Sequence, residues 1–549
     1  MFKTITCIIA FAFLWQYTSA RQALPETDKL AATVKIWGFM KYYHPNVADG
    51  KYDWDQELLQ LLPEIQRSVS KEDLSDVFVN LIGRLGYVEA CKKCHSGSGH
   101  AYFEKNFNLN WQNDTTLFSD ELIGKLKYIE QNRHQGDKYY VAYKGKGLSE
   151  FVITNEKSYK SVSWQDPGYR FLALARYWNI VEYFYPYKYQ MDIPWDEVLI
   201  RMIPKFQDAQ TETGYHLAML ELVTSLDDSH VAFVTDAIHA FFGDKFIPAK
   251  IRYKDGKGVI TGFYNDSLAQ LDGLQPGDLI TKVDGKDVKQ KFEEYKKYIP
   301  GSNEMRKESV AAKYLFNGPG RSATIEVIRD GAVFIKTIHR YDYKELGYQK
   351  KEMPTHEMIN EHTGYVNMGV LKKEDVANVM ASLIHTRAII FDLRNGANST
   401  WPLLIDHLSS GKKKFCTIIY PGLNYPGKFI ISDSFQCGTN RPAKYKGKAI
   451  LLVNENTQSH AEYTAMSLQT GDHVVAIGCQ TSGADGNVSI IEMVGGFKAT
   501  MTGTGVFYPD MGEAQRTGVR IDITVEPTIR GLAQGSDEIL GRAIEVANE

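Results

Sequence analysis

Ser459 stands where a serine hydroxyl could act as a nucleophile. The apolar residues 449–453 predict a buried strand and the residues after Ser459 predict a helix, so the serine lies at a strand-to-helix turn. Such a turn holds the hydroxyl out of the sheet, and the N–H groups at the helix start can stabilise an oxyanion. Glu462, three residues further on, is equally typical of a capping box, in which Ser459 only caps the helix. The local pattern leaves both interpretations open.

An internal repeat draws attention to His230. Eight residues of a first copy recur in a second copy at a constant interval of 141 positions. The pairs are Trp37/Trp178, Tyr42/Tyr183, Tyr43/Phe184, Pro45/Pro186, Trp54/Trp195, Asp55/Asp196, Leu58/Leu199 and Pro63/Pro204. Each copy predicts two helices joined through an aromatic-Pro turn. Where the second copy reads LDDSH, ending at His230, the first reads LGYVE, so only the second carries a candidate catalytic group.

The beginning of the chain is typical of a secretory signal peptide. One lysine precedes an apolar core at residues 5–15, and Thr18, Ser19 and Ala20 form a small-residue cleavage site. We expect cleavage after Ala20 and export, most naturally to the periplasm. No later stretch approaches the ~20 apolar residues of a membrane span. The net charge of −3 gives no electrostatic reason to expect nucleic acid or an acidic membrane as a partner.

The cysteines allow several interpretations. Cys416 and Cys437 are expected to bridge the two sides of one loop in an oxidising compartment. Cys91 and Cys94 belong to a C-x-x-C-H pattern, for which a local disulfide is favoured over a metal clip, and a metal clip over c-type haem attachment.

The 549 residues are enough for about three domains, and the predicted fold class is multidomain α+β. After the signal peptide, residues 21–165 and 166–246 hold the two helical repeat copies. Residues 247–342 resemble a PDZ domain of the bacterial protease type, with short strands around the sequence GLQPGDLI. Within it, residues 292–320 exceed a minimal PDZ domain and are a candidate mobile lid. Residues 343–549 alternate strands and helices as an α/β core.

Five segments occur in an order that resembles the C-terminal processing (tail-specific) peptidase family and its tricorn-like Ser-His branch. They read GLQPGDLI, FDLRNG, SHAE, IGCQTSG and YPDMGEAQRTGVRID. The resemblance extends from about Phe171 to the C-terminus. It implies a ClpP/crotonase-like serine protease core for residues 343–549, and it makes the capping interpretation of Ser459 secondary.

The resemblance assigns catalytic roles to three residues. The serine of the family's S-x-A-E segment is the nucleophile and falls on Ser459. One branch pairs it with a lysine about two dozen residues downstream, but this sequence has no lysine between Lys448 and Lys498. The tricorn-like branch uses a Ser-His pair before the PDZ region, which implies His230 as the general base and Ser229 as a residue that orients its ring.

The remaining roles are less closely matched. The third catalytic group falls on Glu513, with Gln515 as close to the expected register. The oxyanion hole uses the N–H after the nucleophile, here His460, and a second N–H from a D-L-R-x-N-x-G-G loop. We choose Gly396 for that donor, although residues 392–399 lack the Gly-Gly pair.

The leading hypothesis is an exported serine endopeptidase that cleaves unfolded or tail-exposed polypeptides without a metal or cofactor. An alternative from another class is a catalytically weak or silent peptide- or ligand-binding protein with the same fold, which the missing Gly-Gly pair suggests. A third is a c-type cytochrome domain fused to that fold. The sequence does not predict the oligomeric state.

Overall fold

The computed structural model describes residues 24–95, 99–144, 150–349, 352–442 and 444–549. The predicted signal peptide lies outside these ranges. Within them, every helix is too short or too polar to cross a lipid bilayer.

The first repeat copy is largely helical. Its helices are α1 (Glu26–Tyr43), α2 (Pro45–Ala48), α3 (Trp54–Arg67), α4 (Lys71–Arg84), α5 (Lys92–His95) and α6 (Asp120–Gln131). Its strands are β1 (Tyr102–Phe103), β2 (Val141–Tyr143) and β3 (Phe151–Ile153). The structure has a disulfide between Cys91 and Cys94, which confirms the favoured interpretation of this pair.

The second copy repeats the same helical unit and then leads towards the candidate site. Its elements are α7 (Pro167–Phe184), α8 (Trp195–Gln207), α9 (Glu212–Thr224), β4 (Ala232–Phe233), α10 (Asp236–Phe242) and β5 (Lys245–Phe246).

A reciprocal tryptophan pair marks each copy. The indole N–H of Trp37 donates to the carbonyl oxygen of Trp54 at 2.8 Å, and the indole of Trp54 donates to Trp37 at 2.9 Å. Trp178 and Trp195 make the same two hydrogen bonds at 3.0 Å. A buried indole needs a hydrogen-bond partner, and each pair supplies it internally. The repeat seen in the sequence is therefore a repeat of structure.

Buried charges join the two copies. Arg176 of α7 pairs with Asp55 of α3 and, at 3.1 Å, with Glu156. Glu156 also accepts from Lys41 at 2.5 Å, and all four side chains are at least nine-tenths buried. Removal of one member would leave a buried charge unpaired, which is strongly destabilising.

The PDZ-like region is an antiparallel sheet with the order β11-β10-β8-β7-β6. Its strands are β6 (Ala249–Lys254), β7 (Lys257–Phe263), β8 (Leu279–Val283), β9 (Lys286–Asp287), β10 (Ser322–Arg329), β11 (Ala332–His339) and β12 (Tyr341–Asp342). Its helices are α11 (Asp266–Leu271), α12 (Val288–Tyr295) and α13 (Glu304–Leu315). The candidate lid contains α13, which buries Ala311 and Leu315. This part of the segment is a packed helix in this structure.

The C-terminal region is built on a six-stranded sheet with the order β13-β14-β15-β19-β20-β24. Only β13 runs antiparallel to its neighbour. The strands are β13 (His356–Asn360), β14 (Thr363–Asn367), β15 (Ala388–Asp392), β19 (Lys448–Val453), β20 (Val474–Gly478) and β24 (Ile523–Thr524). The helices are α14 (Val376–Leu383), α15 (Trp401–Leu408), α16 (His460–Leu468), α17 (Ile529–Gln534) and α18 (Glu538–Asn548). Parallel strands place their carboxyl ends at one edge, where α/β folds form sites.

Smaller sheets complete this region. They use β16 (Lys413–Pro421), β17 (Phe429–Ile431), β18 (Phe435–Cys437), β21 (Val488–Glu492), β22 (Lys498–Thr502) and β23 (Gly505–Phe507). The hairpin of β21 and β22 is extended by β4 from the helical region, so the sheet order is β21-β22-β4. This pairing brings the second repeat copy to the C-terminal core.

The predicted bridge between Cys416 and Cys437 is wrong. Both are buried free thiols. They lie on the paired strands β16 and β18, but the register sets Cys437 opposite Lys413 and Cys416 opposite Phe435. The two cysteines are therefore not cross-strand partners.

Candidate active site

Ser459 lies in a strained turn between β19 and α16. Its φ of 56° and ψ of −121° are unusual for a residue with a side chain. The N–H of Ser459 donates to the carbonyl oxygen of Ala484 at 2.9 Å and to Glu462 at 3.1 Å. Strain of this kind is often found at functional sites. The Glu462 bond of the capping box is present, so capping and a nucleophilic role are compatible here.

Glu462 connects the Ser459 turn to the loop that follows β20. Its buried carboxylate accepts hydrogen bonds from Thr481 Oγ1 at 2.5 Å and from the N–H groups of Gly483 and Ala484 at 2.8 and 3.0 Å. The Ser459 N–H is its fourth donor. Burial raises the pKa of Glu462, and these four donors oppose the rise. One side chain therefore fixes both the Ser459 turn and the loop after β20.

The β4–β22 pairing positions His230. Ala232 pairs with Thr500 and Phe233 with Ala499, so the same antiparallel register sets His230 opposite Thr502. The His230 Nδ1 lies 2.8 Å from Thr502 Oγ1. The other ring nitrogen, Nε2, is buried and has no hydrogen-bond partner among the described residues.

The surroundings of His230 favour its neutral form. Burial lowers its pKa from 6.5, Asp228 opposes that shift, and Arg306 adds to it. A neutral imidazole with an unpaired Nε2 can accept a proton. The ring therefore has the properties of a general base at neutral pH.

Ser229 connects the His230 loop to the Ser459 turn. Gln458, the residue before Ser459, donates from Nε2 to the carbonyl oxygen of Ser229 at 3.0 Å. The Ser229 hydroxyl donates to the carbonyl oxygen of Ser482 at 2.9 Å and accepts from the Ser302 N–H at 2.8 Å. The bonds of this hydroxyl join loops, and none of them goes to the imidazole. The structure therefore does not support the expected role of Ser229 in orienting the ring.

Asp228 is the acidic residue next to His230. It is fully buried, and its Oδ1 accepts from the His230 N–H at 3.0 Å and from Thr502 Oγ1 at 2.9 Å. Its Oδ2 accepts from the Thr502 N–H at 2.7 Å. Gln515 Nε2 approaches Oδ1 at 3.5 Å.

Glu513 is placed elsewhere. Its carboxylate accepts from Tyr189 at 2.8 Å and Gln190 at 2.7 Å, and it pairs with Lys105 at 3.2 Å. The structure shows no contact between this carboxylate and His230, so it does not support Glu513 as the third catalytic group. The physical reason is local, because Tyr189 and Gln190 of the second repeat copy hold the carboxylate.

The two expected oxyanion donors differ in availability. The His460 N–H opens α16, where a helix start leaves N–H groups without intrahelical partners. Gly396 has a left-handed φ of 95° and open space where a Cβ would lie, but its N–H donates to the carbonyl oxygen of Leu393 at 3.2 Å. Gly396 is therefore not a free donor in this structure.

Two regions of the chain match models of known protein families. Residues 362–525 match the family model described as Peptidase family S41, and residues 259–310 match a PDZ domain. The C-terminal region is a peptidase family S41 domain. The family match indicates a peptidase, and it confirms the resemblance drawn from the five sequence segments.

Related proteins agree with the S41 assignment. A probable CtpA-like serine protease of Staphylococcus haemolyticus (strain JCSC1435) is 30% identical over 169 residues. The match spans 31% of this chain and 30% of that relative's length. The structure of mature CPAF complexed with lactacystin has a TM-score of 0.54, with 13% identity, over 69% of this chain and 98% of that one. Mature CPAF alone has a TM-score of 0.53, with 12% identity, over 69% and 96%. At these identities the two structures show a shared fold.

A cavity of about 380 Å³ opens beside Ser459 in the S41 domain. Apolar residues form part of its lining, together with Asp485 and residues of the following loop. The apolar members are Ile418, Tyr463, Val488 and Val506. Asp485 is buried, and burial followed by the nearby Glu462 raises its pKa well above the ordinary value. The cavity can hold an apolar side chain next to Ser459.

Two residues of the candidate site were not singled out in the sequence, Asp228 and Thr502. Asp228 stands two residues before His230, and this short spacing was a usable signal. Thr502 carries no such signal, because it meets His230 only through a strand pairing between residues 272 positions apart.

Proposed function

We propose that this protein is an exported serine endopeptidase that cleaves unfolded or tail-exposed polypeptides, with Ser459 as nucleophile and His230 as general base. The observation that carries the proposal is the buried, unpaired Nε2 of His230 in a loop bonded directly to the residue before Ser459. A serine hydroxyl needs such a base to react at neutral pH.

The reaction follows the serine hydrolase pattern. The Oγ of Ser459 attacks the carbonyl carbon of the scissile bond, and its proton passes to Nε2 of His230. The negative oxygen of the tetrahedral intermediate accepts from the His460 N–H at the start of α16. The C–N bond then breaks, and Nε2 gives its proton to the leaving amine. Water, deprotonated by His230, releases the acyl group from Ser459.

A polypeptide substrate agrees with two features of the chain. The cavity beside Ser459 has room for one side chain of an extended substrate. The PDZ domain lies between His230 and Ser459 in sequence, and PDZ domains bind extended chain ends by strand addition.

Two features support export, the N-terminal sequence and a disulfide. The first 20 residues are typical of a signal peptide, and the disulfide between Cys91 and Cys94 suits an oxidising compartment.

The test is hydrolysis of an unfolded polypeptide by the mature protein and two variants. We expect Ser459→Ala to abolish cleavage and His230→Ala to reduce kcat/KM by ~10²-fold or more, since general-base assistance has about that value. Both variants should keep the circular dichroism spectrum and melting temperature of the parent. Full activity in either would contradict the proposal, and an inactive parent would favour the silent binding protein.

A further inference from the structure

Thr502 connects a buried carboxylate to the ring of His230. The Thr502 hydroxyl lies 2.9 Å from Asp228 Oδ1 and 2.8 Å from His230 Nδ1. The direct distance from Asp228 Oδ1 to His230 Nδ1 is 4.0 Å, which is too long for a hydrogen bond. The side-chain hydrogen-bond path from the Asp228 carboxylate to the ring nitrogen therefore runs through Thr502.

The direction of these hydrogen bonds follows from a count of protons. Oδ1 of Asp228 faces the His230 N–H, and Oδ2 faces the Thr502 N–H. Backbone N–H groups only donate, so both oxygens accept, and an ionised carboxylate has no proton of its own to donate to Thr502. The single hydroxyl proton of Thr502 is then directed to Asp228, which leaves a lone pair of Oγ1 facing the ring.

That lone pair decides which ring nitrogen carries the proton. An acceptor at 2.8 Å from Nδ1 requires a proton on Nδ1. A neutral imidazole has one N–H, so Nε2 is then an acceptor. Nε2 is also the nitrogen without a partner, as a base awaiting a substrate-derived proton must be.

We propose that Asp228, acting through the Thr502 hydroxyl, is the positioning device that holds His230 in the tautomer with Nε2 free. The catalytic consequence rests on the proposed peptidase function, whereas the tautomer does not. Asp228 and Thr502 thus fill the orienting role for which the sequence had offered Glu513 or Gln515.

The charge of Asp228 has a second effect in this arrangement. When Nε2 takes a proton, the ring becomes a cation in a buried site, where Arg306 opposes that charge and Asp228 favours it. Hydrogen bonds to charged groups are stronger in such surroundings. The Nδ1–Thr502–Asp228 chain therefore stabilises the imidazolium during the reaction as well as the free base before it.

The tautomer can be read directly by two-bond ¹⁵N–¹H correlation spectra of protein labelled with ¹⁵N-histidine. We would use the mature Ser459→Ala protein, so that self-cleavage does not interfere, and assign His230 from the signal lost in His230→Gln. At a pH above the His230 pKa we expect the proton on Nδ1. A proton on Nε2 would overturn the proposal, whether or not the protein is a peptidase.

We call the hydrogen-bonded path from Asp228 through Thr502 to His230 the relay. Two variants of Thr502 distinguish the effect of this relay from the effect of the side chain's packing. Thr502→Val has nearly the same shape but no hydroxyl, and Thr502→Ser keeps the hydroxyl with one methyl group fewer. With Ser459 intact, we expect Thr502→Val to lower kcat by ~10²-fold or more with little change in KM. Thr502→Ser should stay within about tenfold of the parent. Equal loss in both variants, or full activity in Thr502→Val, would overturn the relay.

The two readouts distinguish the two proposals. An inactive parent with the proton on Nδ1 would remove the peptidase function and leave the relay intact. An active parent with the proton on Nε2 would leave the peptidase function intact and remove the relay. If Thr502→Val does not fold, the tautomer of the parent still decides the relay.

Discussion

His230 lies directly opposite Thr502 in the continuation of the antiparallel pairing between β4 and β22. One element of this pair belongs to the second helical repeat and the other to the S41 domain. The candidate base is therefore placed by strand register, and Thr500 Oγ1 adds a hydrogen bond to the His230 carbonyl oxygen at 2.7 Å. A slip of one residue would turn the ring to the other face of the sheet.

The pH dependence of the reaction should follow the lowered pKa of His230. Its neutral form is the base, so kcat/KM should rise with pH along an acidic limb whose midpoint lies below 6.5, the ordinary pKa. Arg306 lowers this pKa, so Arg306→Gln should move the acidic limb of the profile to higher pH. Profiles of parent and variant measured side by side check this. A limb that moves to lower pH, or does not move, would contradict the electrostatic account.

Glu462→Gln should damage both the turn of Ser459 and the loop after β20. Each oxygen of Glu462 accepts two hydrogen bonds: Oε1 from a hydroxyl and an N–H, and Oε2 from two N–H groups. The NH₂ group of glutamine cannot accept, so at either position it would leave the donors that face it without an acceptor. Each buried donor left unpaired costs about 1–3 kcal/mol. We expect a lower melting temperature and a large loss of kcat. Calorimetry and kinetics check both, and a variant with the parent's stability and kcat would mean that the hydrogen bonds are not needed.

Glu513→Gln should have little effect on catalysis. Its carboxylate contacts Tyr189, Gln190 and Lys105, away from the imidazole. We expect kcat to change less than about tenfold, well under the ~10²–10⁴-fold typical of general acid–base groups. The comparison is Gln515→Leu, which removes the amide 3.5 Å from Asp228 and should cost more. A strong loss in Glu513→Gln alone would restore Glu513 as the third group.

Much of this site could be predicted from local sequence, because its strongest elements are local. The strand, the turn at Ser459 and the following helix occupy consecutive residues, as do Asp228, Ser229 and His230. What could not be predicted depends on register between distant strands. Thr502 meets His230 across 272 positions, and Cys437 is kept from Cys416 by the offset of β16 and β18. The alternation of apolar and polar residues predicts a strand, but it does not predict which residues of another strand will lie opposite its own.

The cavity beside Ser459 should bind the substrate side chain next to the scissile bond. Val488 lines it and is 38% exposed, so Val488→Trp can narrow the cavity without overpacking the core. We expect kcat/KM to fall for peptides with bulky apolar side chains at that position, and less for those with alanine. Ile490, on the same strand and 62% exposed, does not line the cavity, so Ile490→Trp is the matched control. Equal effects of both variants would mean that the cavity does not bind substrate.

The reactivity of Ser459 is the most direct test of the central claim that His230 activates this residue. The measurement is the rate at which a fluorophosphonate modifies the mature protein, followed by intact mass and peptide mapping. We predict a single adduct on Ser459, formed ~10²-fold or more slowly in His230→Ala and absent in Ser459→Ala. An unmodified parent, or a parent and His230→Ala modified at the same rate, would contradict the account.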